Sequence, residues 1–115
     1  MTNPGADARE PNDLHASLNS ELTAFIESVA RLEAILLAHG GNDWAVRITR
    51  VRKIAEASDG FSVRLFLSFF GGMGSLRDLV LVAPAHINDE LHLEMTRAYE
   101  LAKALDASER AHPTR

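Results

Sequence analysis

Apolar residues recur along this chain in four separate stretches, and their spacing decides what each can become. Beyond Ser20, the residues Leu22, Phe25, Ile26, Val29, Leu32 and Leu36 follow at three- and four-residue steps, which places them on one helical face; Glu21, Glu27, Arg31 and Glu33 occupy the other. Gly40 and Gly41 offer a left-handed residue to close that helix. Asn42 is positioned to cap the next, with Asp43 at its positive end. Trp44, Ile48, Val51 and Ala55 form the second stripe, and Ser58–Gly60 reads as its stop.

The third stretch, FSVRLFLSFF from Phe61 to Phe70, satisfies two periods at once. Phe61, Val63, Leu65, Leu67 and Phe69 alternate as in a strand, while Leu65, Phe66 and Phe69 fit a helical face. Helix is the preferred reading, because two apolar strands joined by a glycine-rich connector would leave hairpin edges without cover. In the fourth stretch Leu91, Met95, Ala98, Tyr99, Ala102 and Leu105 are again helical, with Pro84 as the preceding break, Asn88 as the cap, and Asp89 and Glu90 in the first turn. Residues 1–15 and 108–115 lack an apolar period and read as flexible tails. The expectation is one all-α domain over 16–107, of about four helices with a glycine-rich connector; the alternative is an α+β fold with a hairpin over 61–82.

Composition narrows the chemistry. At 115 residues the chain has room for one core. It has no cysteine, which removes disulfides and thiolate sites and fits a reducing, cytoplasmic setting. No run approaches the ~20 apolar residues of a membrane span, and residues 1–13 lack the charged and apolar regions of a signal peptide. A net charge of −4 disfavours nucleic acid and leaves room for a basic protein partner. The five histidines show no helical pairing at the spacing that aligns two metal ligands, so no metal or cofactor is expected.

The connector FFGGMGSLRDLVL, residues 69–81, invites three enzymatic readings, and spacing defeats each. A phosphate-binding Walker loop needs lysine after its last glycine, where Ser75 stands. A dinucleotide fingerprint needs glycine at Arg77. A nucleophile elbow around Ser75 needs glycines at Met73 and Arg77. What remains is a turn with a Ser75-x-x-Asp78 cap, or else a small-ligand or anion site made by Gly71, Gly72, Gly74, Ser75, Arg77 and Asp78.

Two charged faces stand out besides. Arg47, Arg50 and Lys53, with Arg52 nearby, step along the second helix without interleaved aromatic residues, which is the pattern of a solvated face. On the last helix Asp89, Glu90, Glu94 and Glu100 form an acidic surface suited to docking a cationic partner. Phe61, Phe66, Phe69 and Phe70 exceed what one helical face can bury, which leaves a homodimer seam open.

Trp44-Ala45, the run FLSFFGGMGSLRDLVL from Phe66 to Leu81, and the helical YELAKAL from Tyr99 to Leu105 resemble a family of small uncharacterised bacterial proteins with a near-identical FGGMGS motif. The resemblance spans about residues 20–106. Arg77 departs from it, since asparagine is the commoner residue there, so a hydrogen bond from that position does not carry over. The family brings no established activity. By analogy with small bacterial immunity proteins, it implies a non-enzymatic protein that neutralises a toxin by occluding it.

Overall fold

The computed structural model describes the backbone of residues 4–71 and 74–111 and the side chains of residues 20–71 and 74–109. It contains four helices: α1 (Pro4–Ala38), α2 (Asn42–Glu56), α3 (Phe61–Ser68) and α4 (Ala85–Ala111), with a 3₁₀ turn at Leu76–Asp78. No strand occurs among the described residues, so the hairpin over 61–82 is replaced by helix, turn and connector. The segment read as an N-terminal tail enters α1 at Pro4, and its side chains lie outside the described residues. α4 runs past the boundary expected at 107, to Ala111; residues 112–115 are outside the described set.

α1 packs against α2 and α4, and α3 packs against the same two helices. The four therefore close a ring in chain order around a shared core. Into it point Phe25, Val29, Leu32 and Leu36 from α1, Ala45, Ile48, Val51 and Ala55 from α2, Val63 and Phe66 from α3, and Leu91, Met95, Ala98 and Ala102 from α4. These are the three- and four-residue steps of the sequence, and burying them is what holds the helices together, above all the eight-residue α3.

The period conflict in α3 is resolved by what faces inward. Ser62, Val63 and Phe66 are buried, whereas Phe61, which a strand would bury with Val63, is 41% exposed. The surplus phenylalanines meet one another inside the chain. Phe66 is the hub, edge-on to Phe25 at 5.5 Å, to Phe69 at 6.2 Å and to Phe70 at 5.1 Å; Phe69 passes the contact to Trp44 at 5.3 Å. Such edge-to-face pairs stabilise beyond the area they bury.

Helix ends follow backbone geometry more than the expected caps. α1 closes as foreseen: Gly40 takes φ 86°, and the Gly41 N–H donates to the Leu36 carbonyl at 2.8 Å. Gly41 has no room for a side chain, because a Cβ there would stand 2.8 Å from Leu36 Cδ2 and 3.1 Å from Leu81 Cδ2. Asn42 is not the cap of α2; it is the first helical residue, and Gly41 precedes it without a side-chain bond. At the end of α2 the left-handed residue is Ser58, at φ 60°, rather than Gly60, with the Asp59 N–H donating to the Ile54 carbonyl at 3.2 Å. Asn88 is not the cap of α4 either. The helix starts three residues earlier, the Pro84 carbonyl accepting from Ile87 at 2.9 Å, so Asp89 and Glu90 fall beyond the first turn.

Candidate functional site

The glycine connector is built to bring one side chain over α4. The Leu76 N–H donates to the Phe69 carbonyl at 2.8 Å, which ties the two ends of the loop together. Gly74 takes φ 73°, a conformation that strains any side chain. Its N–H donates to Asp78 Oδ2 at 3.3 Å. Ser75 precedes the 3₁₀ turn in an extended conformation, but its hydroxyl makes no cap bond, so only the acid of the expected Ser-x-x-Asp pair reaches back, and it reaches one residue further than a capping box would. Leu76 is fully buried and anchors the turn.

With Leu76 fixed inward, Arg77 lies over two rings. Its guanidinium carbon is 5.5 Å from the Phe70 centroid and 5.2 Å from that of Tyr99. Those rings meet at 4.8 Å. Lys103, one turn further along α4, places its ammonium 5.6 Å from the same Tyr99 ring. Tyr99 is therefore contacted by two cations, an arrangement that the negative ring face favours.

Two shallow clefts flank this cluster. One, of about 420 Å³, is lined by Leu67, Phe70, Gly71, Tyr99, Lys103 and Asp106. The other, of about 400 Å³, includes Phe70, Arg77, His92, Thr96, Tyr99 and Glu100. Each wall carries cation and carboxylate together. Neither cleft is lined by Ser75, which is buried, so Ser75 and Arg77 do not converge on one ligand position. Gly71 and Gly74 are exposed; Gly72 lies outside the described residues.

The acidic residues of α4 are dispersed. Asp89 and Glu90 are exposed, Glu90 beside a groove of about 280 Å³ with Arg31, Ile35 and Leu93. Glu100 belongs to the Arg77 cleft. Glu94 departs from the expected surface altogether: it is 7% exposed and points into the α1–α4 interface. Ser28 Oγ donates to its Oε2 at 2.5 Å, Arg31 Nε to its Oε1 at 3.1 Å and Arg97 Nη1 to Oε1 at 3.0 Å. Burial pushes the carboxyl up, but the hydrogen bonds of Arg31 and Ser28 and the charges of Arg31 and Arg97 outweigh it, and it ends below the ordinary glutamate range.

Glu33 does the same between α1 and α2. It accepts from Thr49 Oγ1 and from Arg52 Nε at 2.7 Å, and Arg52 also reaches Glu56 at 3.0 Å. Burial again raises the carboxyl while Arg52, Thr49 and nearby Lys53 bring it lower than usual. Arg52 thus leaves the basic face foreseen for α2, while Arg47, Arg50 and Lys53 are exposed along it, Arg47 resting over Trp44 at 4.6 Å.

Among the described residues no group of three or more histidines and carboxylates is arranged to hold a metal, and no helix is long and apolar enough to cross a membrane. Sequence reasoning missed Tyr99 and Lys103 as surface partners of Arg77, because Tyr99 fitted the buried stripe. Their four-residue spacing on one helix was the available signal. Residues 37–87 match the family model of a domain of unknown function (DUF6966). That match takes in α2, α3 and the glycine connector and stops at the start of α4, before Tyr99 and Lys103. No curated protein and no solved structure matches the chain.

Proposed function

We propose that the protein is a non-enzymatic binding module that recognises another protein through the face made by the glycine connector and α4. The observation that carries this reading is Tyr99 between Arg77 and Lys103, with Phe70 behind it and an open cleft on either side. Tyrosine and arginine are the side chains that most often dominate binding at protein interfaces. The connector holds Arg77 in place before any partner arrives, which lowers the ordering cost of association. Because each cleft pairs a cation with a carboxylate, its lining suits the mixed side chains of a protein surface better than a single anion.

The resemblance of residues 66–81 supports the narrower proposal that the partner is a toxin domain and that binding occludes it. Co-expression with the product of the neighbouring reading frame tests both. The full chain is expected to co-purify with it and to restore growth, and Tyr99→Ala with Arg77→Ala is expected to abolish both while leaving the melting temperature within a few degrees. Retention of binding by that double variant would remove the proposed face.

A second reading, an anion site at the loop, has one observation in its favour: Gly71 and Lys103 line the same cleft, so the ammonium stands beside the loop backbone. A rise in melting temperature with phosphate or small carboxylates, lost in Lys103→Ala, would support it.

A further inference from the structure

We infer that the outer face of α2, from Trp44 to Lys53, is a docking surface for an acidic helical segment of another protein. α2 turns Ala45, Ile48, Val51 and Ala55 inward, between α1 and α3. Its opposite side exposes Val46, Arg47, Arg50 and Lys53. Val46, Arg50 and Lys53 follow at four- and three-residue steps and share one stripe, with Arg47 on its flank.

What sets these cations apart is that no carboxylate meets them. The other helical arginines among the described residues each reach a glutamate: Arg31 and Arg97 reach Glu94, Arg52 reaches Glu33 and Glu56, and Arg64 reaches Glu109. Arg47, Arg50 and Lys53 have no carboxylate within ion-pair distance among the described residues. Lys53 acts on Glu33 through its charge alone, Glu56 is taken by Arg52, and Asp43 stands in the first turn, at the far end of the stripe. Like charges three residues apart on a helix repel, so the row destabilises the free helix and is relieved when opposite charge arrives.

Arg47 is already placed to receive that charge. Its guanidinium lies over the Trp44 ring at 4.6 Å, and Trp44 is fixed edge-on against Phe69 at 5.3 Å. A guanidinium stacked on a ring keeps its in-plane N–H groups for a carboxylate, which it can bind through two parallel hydrogen bonds. Tryptophan and arginine are also among the residues that most often dominate binding at interfaces. Beside Arg47 and Arg50, Val46 is 71% exposed and offers apolar contact within the charged row.

The occupant follows from charge and spacing. Arg47, Arg50 and Lys53 recur every three residues, about 4.5 Å apart along the axis. Carboxylates three and four residues apart on a second helix present opposite charge at a similar interval, with room between them for an aliphatic side chain over Val46. A nucleic acid suits the face less well. The chain carries a net charge of −4, Val46 offers nothing to a phosphate, and the Trp44 ring is covered by Arg47 instead of lying open to a base.

This surface shares no residue with the Tyr99 face, and the inference stands whether or not that face binds a partner. Trp44 is the chain's single tryptophan, so its fluorescence reads the stripe directly. The probe is a synthetic peptide of about sixteen residues, long enough to be helical, with glutamates three and four apart and leucines between them. A scrambled peptide of the same composition and a single-stranded oligonucleotide are titrated beside it. The patterned peptide is expected to change Trp44 fluorescence saturably, to bind at least about tenfold more tightly than the scrambled one, and to weaken as salt rises. Arg50→Glu with Lys53→Glu should weaken it by at least about tenfold as well. Leu93→Glu, at an exposed position on α4, should leave it unchanged. No binding by the wild-type chain, equal binding of the two peptides, tighter binding of the oligonucleotide, or an affinity indifferent to the charge reversal overturns the inference. If the charge-reversed chain fails to fold, amide chemical shifts of the wild-type chain decide: changes centred on residues 44–53 when the patterned peptide is added support docking there, and changes confined to other segments refute it.

Discussion

Glu94 and Ser62 mark opposite ends of what a buried polar group can do here. Glu94 is bonded by three side chains and joins α1 to α4, so Glu94→Gln is expected to cost roughly 1–3 kcal/mol at neutral pH, as for hydrogen bonds to charged groups. The pH dependence has a definite sign. Unfolded, Glu94 and Glu33 protonate near the ordinary 4.5; folded, both protonate lower. In that interval the unfolded chain binds more protons, so stability rises with pH. The contribution of the two carboxylates is complete above 4.5 and drains away as pH falls through the folded values. Urea denaturation at a series of pH values should show the gap between wild type and Glu94→Gln narrowing below 4.5. The Ser62 hydroxyl, by contrast, is buried with no hydrogen-bond partner among the described residues. Ser62→Ala is expected to be neutral or to stabilise by up to about 1 kcal/mol, because it removes a desolvated hydroxyl that receives no compensating bond; the urea midpoint checks this.

At the scale of elements, the helices with a clean period were legible in the sequence. The stripes Phe25–Leu36 and Leu91–Ala102 face the core as their spacing requires. Helix starts were less legible, because asparagine signals a cap only if no tertiary use claims it. Asn88 is claimed by Leu81, and the α4 terminus is left to Pro84. Asn88→Asp should therefore act on the connector rather than on the helix start. It loses the donor to the Leu81 carbonyl and sets a carboxylate against it, at an expected cost of roughly 1–3 kcal/mol in thermal or urea denaturation. Glu94 was misread for a related reason. A carboxylate on a helix looks solvated until one knows which helix lies beside it, and Ser28 and Arg31 are more than sixty residues away in the chain.

For the whole molecule, the ring of helices spends its apolar residues on one core and leaves two kinds of surface. One is the aromatic and cationic face where the glycine connector meets α4; the other is the basic outer face of α2. The row of cations on α2 was visible beforehand, the aromatic face only through Arg77, because Tyr99 and Lys103 reach it by folding. In the connector, the end-to-end hydrogen bond, the left-handed Gly74 and the buried Leu76 fix the turn from which Arg77 reaches the Phe70 and Tyr99 rings. Hydrogen–deuterium exchange of the full chain, free and bound to the product of the neighbouring reading frame, tests the binding role of the Arg77 and Tyr99 face most directly. New protection over residues 67–77 and 92–107 is the predicted result. Protection confined to the outer faces of α1 and α2, with those two stretches unchanged, would contradict it.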